Sequence, residues 1–249
     1  MSDYNRGYAR PVTAGAADMS VDAGLRAFML GVYNKVGLGL VLSGALAYVT
    51  SSPAVAPLLF KVTASGALAG YTLLGMIVAF SPLVVILASG FLMKAATPRN
   101  SGILYWTIVS LIGASMGALL LAYTGVSVAT TFFVTAAAFG GLSLVGYTTK
   151  KDLTGFGTFL IMGVIGLVIA SIVNMFLHSS AMAFIINALG VLIFSGLIAY
   201  DTQRLKMTYY QLGGDQSSAA VATNYGALNL YLDFINLFQF LLAFLGNRR

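Results

Sequence analysis

Residues 226–246 read GALNLYLDFINLFQFLLAFLG. About twenty mostly apolar residues is the length a helix needs to cross a hydrocarbon core. One acid, Asp233, stands about a third of the way along, and Asn229, Asn236 and Gln239 flank it at offsets of four, three and six. Those offsets predict one polar side on a helix whose other side is Leu, Phe and Ile. An acid inside a membrane helix is costly and almost always faces protein or a watery cavity. The rest of the chain is therefore expected to surround this helix.

Composition agrees. Of 249 residues, 59% are hydrophobic and only 8% charged, with a mean hydropathy of +0.90. A soluble domain carries roughly a quarter charged residues, so the sequence describes an integral membrane protein. The net charge of +6 comes from basic residues placed singly or in pairs between apolar runs, as orientation signals are, and predicts no nucleic-acid partner. Every acid is Asp, and the absence of Cys excludes disulfides and thiolate metal sites. The first 27 residues are polar, hold Asp3, Asp18 and Asp22, and lack the apolar core of a signal peptide.

The chain divides into a flexible cytoplasmic tail, 1–27, and a membrane domain, 28–249. Apolar runs predict seven spans at about 29–50, 68–93, 103–123, 126–147, 156–177, 182–200 and 226–246. Lys35 lies early in the first span, where a lysine can snorkel to the interface. Residues 51–65 read as a loop, Ser81-Pro82 as a kink in the second span, and 209–224 as a polar connector. With seven crossings, Arg6, Arg10, Arg26, Lys94, Arg99, Lys150, Lys151, Arg204 and Lys206 fall on the side of the amino terminus. Lys61, Arg248 and Arg249 fall on the other. The positive-inside rule then places the amino terminus in the cytoplasm.

Five of the seven Asp lie in tails or loops; Asp201 and Asp233 lie at span positions. Orientation puts both toward the cytoplasmic face, with Asp233 about two turns deep, and Lys94 ends the second span on the same face. Two carboxylates in a poorly hydrated site titrate as a unit sharing a proton, and a nearby ammonium competes for them. The combination reads as a proton-sensitive latch.

Two stretches, FSGLIAYDTQRLK (194–206) and LYLDFINLFQFLL (230–242), closely resemble the carboxy-terminal motifs of the Bax inhibitor-1 family. KKDLTGFGTFLIMG (150–163) and IVNMFLHSS (172–180) resemble its bacterial members, and the likeness runs over nearly the whole chain after Leu25. The resemblance implies an all-α, seven-helix membrane fold with the last helix central and six around it. It also implies a pH-sensitive calcium leak gated by two aspartates, which match Asp201 and Asp233 here. The family's latch arginine would correspond to Lys94, which lacks the planar fork of Arg.

The expected function is thus passive calcium passage across a bacterial inner membrane, without enzymatic activity and without a cofactor. Calcium would bind Asp201 and Asp233 weakly, because two acids are too few for a tight oxygen cage and a conducted ion must leave. Asn229, Asn236 and Gln239 are candidates for the polar face beside them. The alternative, suggested by bacterial relatives, is a binding partner that modulates a membrane protease without conducting ions. His178 reads as a solvated loop residue, and Gly113 and Gly117 as a close-packing face inside the bundle. No nucleotide loop, metalloprotease or Ser-His-Asp pattern is present.

Overall fold

The computed structural model describes residues 14–64, 66–92 and 95–249, with side chains from residue 23 onward except 91–94. Seven of its helices are long and apolar enough to cross a membrane. The first is α1, Ala14–Thr50. A short α2, Ala56–Leu59, leads into an antiparallel pair, β1 (Phe60–Val62) and β2 (Leu68–Tyr71). Then come α3 (Leu73–Leu92), α4 (Pro98–Ser115) with its continuation α5 (Gly117–Ala122), and α6 (Gly125–Thr148). The chain finishes with α7 (Thr154–Leu177), α8 (Ser180–Gln211) and α9 (Gln216–Leu245).

Local chemistry sets the helix starts. Side chains of Thr97, Thr124, Ser179 and Asp215 each accept a backbone N–H from the first turn of α4, α6, α8 and α9. Such caps satisfy donors that the helix cannot satisfy itself. His178 ends α7 in the left-handed conformation, φ 51°, and is exposed. Proline at 82 leaves the carbonyl of Val78 without its ladder donor, and the Ser81 hydroxyl donates to that carbonyl at 2.8 Å. The predicted interruption is therefore absorbed within a continuous helix.

Three expectations change. Residues 51–65 are not an open loop: they hold α2 and the first strand of a hairpin whose second strand takes Leu68–Tyr71 out of the predicted second span. Phe60 is buried there against Ala118 and Leu121. The predicted connector 209–224 is almost entirely helix, because α8 runs to Gln211 and α9 begins at Gln216. Its polar residues extend two helices past the apolar window instead of separating them. At the other end, the helix begins at Ala14 and Leu25 is already core at 2% exposure, so 14–27 differs from a flexible tail.

Helix α9 is the hub. It packs against α1, α4, α6 and α8, while α3 leans mainly on α4 and α7 mainly on α8. Its inner face, including Leu230, Tyr231, Phe234, Leu237 and Leu242, is essentially sealed. The outer helices are apolar outward as well: Phe80, Leu83 and Leu87 on α3 and Phe159, Met162 and Ile169 on α7 are more than half exposed. Lipid is the solvent that such a surface suits. Helix α9 also reaches both ends of the bundle. Near its start Asn224 donates to the Pro98 carbonyl and Ser101, and past its end the Asn247 carbonyl accepts Thr124 N–H. Arg248 pairs with Tyr123 as an isolated bridge and lies over its ring at 5.7 Å. The terminal arginines thus sit at the end opposite Arg99.

Inside lipid, helices gain little from hiding apolar side chains from an equally apolar solvent, so close packing and hydrogen bonds hold them together. Gly113 of α4 lies against the backbone of Ser43 on α1, and Gly117 against Thr50 and Phe60, both within the bundle. The Ser43 hydroxyl donates to the Val109 carbonyl at 3.1 Å and accepts from Tyr231 at 2.6 Å, stitching α1, α4 and α9. Gly146 of α6 faces the Ala199 backbone of α8, with no space for a Cβ, whereas Gly140 and Gly125 face open space. Gly146→Ala is therefore expected to destabilise the protein by about 1–3 kcal/mol, the usual scale of overpacking. Gly125→Ala should leave the melting temperature in detergent nearly unchanged, and equal melting of both variants would contradict the backbone contact.

Candidate functional site

The site forms where α8 and α9 run side by side as an antiparallel pair joined by Leu212–Asp215. Gly213 and Gly214 adopt φ of 58° and 87° in that turn, values that favour glycine, and Asp215 then caps α9. The Asp215 carboxylate accepts Ser218 N–H at 2.9 Å and Ser217 N–H at 3.3 Å, which holds its pKa below the ordinary Asp value. A lowered pKa means that the cap's contribution is complete above the unfolded value and fades as pH falls through the folded one. The turn is thus firm near neutrality, and a firm turn fixes the register of α8 against α9. Close approach of Gly226 to Leu205 tightens the same pair.

That register brings Asp201 and Asp233 together. Their carboxyl groups face one another within interaction range between the two helices. Asp233 is 5% exposed, Asp201 is half-buried, and Oδ2 of Asp233 is enclosed without a donor. Both lie deeper than expected. Asp233 falls past the midpoint of α9 rather than two turns in, because α9 starts ten residues before the apolar run that predicted it.

A cavity of about 490 Å³ opens beside the pair, bounded by α7, α8 and α9, and Asn229, Asn236 and Ser171 join both acids on its wall. A second cavity of about 160 Å³ continues toward the basic end of the bundle, where Arg204 and Thr208 line it. Asp201 and Asn229 border both. Asn236 donates to the Leu232 carbonyl at 2.8 Å, which leaves its amide oxygen free to face the cavity. Gln239 is exposed and borders neither cavity. Its offset of six from Asp233 turns the helix by about 600°, roughly a third of a turn off the polar face, so the predicted common side holds only for Asn229, Asp233 and Asn236. Lys94 lies outside the described residues.

Each residue of the Asp-Thr-Gln run has its own direction. Asp201 faces α9, while Thr202 is buried with its hydroxyl unpartnered. Gln203 clamps the α6–α7 loop: its Oε1 accepts Leu153 N–H at 2.8 Å and its Nε2 donates to the Lys151 carbonyl at 2.7 Å. The four side-chain oxygens of two acids and the two amide oxygens near the cavity reach the lower bound of the six to eight that calcium takes in a tight site only if all six turn to one ion, and Oδ2 of Asp233 is enclosed. Among the described residues no three His, Cys, Asp or Glu cluster as metal ligands.

Sequence comparison agrees with these motifs. The model of the family described as inhibitor of apoptosis-promoting Bax1 matches residues 25–249. The chain belongs to the Bax inhibitor-1 family. Bacterial relatives include a protein of Caulobacter vibrioides that is 72% identical over 250 residues, covering the whole of both chains. The inner membrane protein YbhL of Escherichia coli is 42% identical, over 91% of this chain and 94% of its own length. A membrane protein of Streptococcus pyogenes is 33% identical, over 90% of this chain and 94% of its own. The family match begins at Leu25, the first residue of the buried core.

A polar cluster that sequence reading missed lies on the other flank of α9. Lys35 Nζ donates to Asn224 Oδ1 and sits 5.7 Å from the centre of the Tyr105 ring, and the Tyr105 hydroxyl donates to the Lys35 carbonyl at 2.6 Å. The expected snorkelling lysine instead bonds inward. The available signal was Lys35 within an apolar run, but only the fold supplies Asn224.

The clamp is testable. Gln203→Met keeps the side-chain length but leaves Leu153 N–H and the Lys151 carbonyl unpaired, which should cost about 1–3 kcal/mol. Faster amide exchange at Leu153 and a lower melting temperature are the expected readouts; unchanged exchange there would rule the clamp out.

Proposed function

We propose that this member of the family is a proton-gated calcium leak of a bacterial inner membrane, with Asp201 and Asp233 as the gate. The observation that carries the reading is the placing of two carboxyl groups face to face beside a cavity within the helix bundle. A carboxylate has no hydrogen to donate, so the two can bond to one another only while one carries a proton. While that proton is held, α8 and α9 are joined at Asp201 and Asp233. When it leaves, two like charges face one another in a poorly hydrated site, and separation relieves them. Separation would join the two cavities that Asp201 and Asn229 already border.

Calcium suits the oxygens that are present. Carboxylate and amide oxygens favour a hard cation, and a partial coordination shell holds it weakly enough to release it. Conduction needs no bond making, so catalysis has no part in this reading. The basic residues Arg26, Arg99, Lys150, Lys151, Arg204 and Lys206 gather at one end of the bundle, which the positive-inside rule assigns to the cytoplasm. In the same reading Lys94, close in sequence to Arg99, competes with the proton for the acids. Lys94→Met should shift the pH midpoint of flux, and Lys94→Arg should restore it.

The decisive measurement is calcium entry into dye-loaded liposomes across a pH series. Asp201→Asn and Asp233→Asn should each move the pH midpoint by about one unit or more, not merely scale the flux. The double variant should be no worse than the worse single, as expected for residues acting as one unit. Additive losses with an unshifted midpoint would overturn the paired gate.

A further inference from the structure

We infer that the groove between α1 and α6 is a binding site for one anionic phospholipid. Its phosphate would lie between Arg26 and Lys206, with an acyl chain along the groove. The cavity there measures about 470 Å³, within the usual range for small-molecule sites. Met29, Tyr33, Phe139 and Tyr147 are among its lining residues. Leu30 and Leu144 on its rim are 50% and 63% exposed, so the groove faces outward, toward the space lipid occupies. The rings of Tyr33 and Phe139 meet edge to face at 6.4 Å and bridge its inner end. From Arg26 to Tyr33 α1 makes about two turns, so the slot is roughly 10 Å long. That length suits the upper part of an acyl chain.

Charge selects the headgroup. Arg26, exposed at the mouth, makes no ion pair among the described residues. Lys206 of α8 lies against Tyr147, a wall residue of the groove, with Nζ donating to the Tyr147 carbonyl at 3.2 Å and lying 5.3 Å from the centre of its ring. Among the described residues no carboxylate pairs with it: the nearby Asp152 is turned to its own loop, where it accepts from the Thr154 amide and hydroxyl at 2.8 and 2.6 Å. Arg26 thus stands at the mouth of the slot and Lys206 behind its Tyr147 wall, two cations from different helices at the basic end of the bundle, and basic pockets between helices are how membrane proteins select anionic headgroups. One turn deeper, where the ester groups of a lipid follow its phosphate, Ser143 holds a buried hydroxyl without a partner.

The site stands apart from the acid pair and does not depend on calcium passage. It is tested by native mass spectrometry of the full chain released from nanodiscs of equal phosphatidylglycerol and phosphatidylcholine with matched acyl chains. The wild type should retain one phosphatidylglycerol in preference to phosphatidylcholine. The double variant Arg26→Gln, Lys206→Gln should lose about thirtyfold of that preference, near fivefold for each cation removed. Gly140→Leu should also lose it with all charges intact, because a side chain at Gly140 meets open space on the groove wall and fills it. Equal retention of the two lipids by the wild type overturns the proposal. So does a Gly140→Leu variant that still selects phosphatidylglycerol, since the cations would then act as a surface patch without the groove.

Discussion

An acid held at the depth of hydrocarbon has two physical outlets, a partner or water, and Asp233 has both within reach. It is sealed from the outside of the bundle, meets Asp201 across a helix pair, and borders a cavity. Much of the architecture follows from meeting that demand. Helix α9 must be enclosed, so four helices pack on it directly. Helices α8 and α9 must keep one register, which a two-glycine turn capped by Asp215 and the approach of Gly226 to Leu205 secure. Helix α8 is in turn braced from behind by the backbone contact between Gly146 and Ala199 and by the Gln203 clamp on the α6–α7 loop.

The two flanks of α9 are built differently. Toward α1 and α4, polar groups are satisfied: Ser43, Tyr231, Lys35, Asn224, Ser101 and Tyr105 form hydrogen bonds that tie three helices together. Toward α7, beyond the α8–α9 contact, a cavity opens, and Asp233 Oδ2 is left without a donor. Buried polar networks rigidify a structure when complete, and incomplete ones mark places held less firmly. One flank is therefore the more fully bonded of the two. The proposed gate lies on the flank where motion breaks fewest bonds.

Basic residues serve more than orientation. Arg248 lies over Tyr123 and helps fasten the chain end, Lys35 turns inward to Asn224, and Lys206 borders the α1–α6 groove through Tyr147. Only the fold separates these roles, since in sequence all three are single cations beside apolar runs. A lipid seated between α1 and α6 would touch α6, which packs against both α8 and α9. The composition of the membrane would then bear on the same helices that hold the acid pair.

Much was legible in the chain alone. Hydropathy and length yield seven spans, because transfer into lipid is a property of each segment by itself, and Thr97, Thr124, Ser179 and Asp215 mark helix starts through local bonds. The motifs around Asp201 and Asp233 identify the family for the same reason: they are contiguous. What the sequence could not supply were relations between distant segments. The polar stretch 209–224 looked like a connector because hydropathy registers where lipid ends, not where a helix ends. Residues 60–71 looked like loop and span because a short hairpin has its partner strand only in three dimensions. Lys35 found Asn224, 189 positions away, whereas the departure of Gln239 from the polar face follows from its offset of six alone. Tertiary structure alone decided which acid meets which, since that depends on a turn, two glycine contacts and the length of two helices acting together.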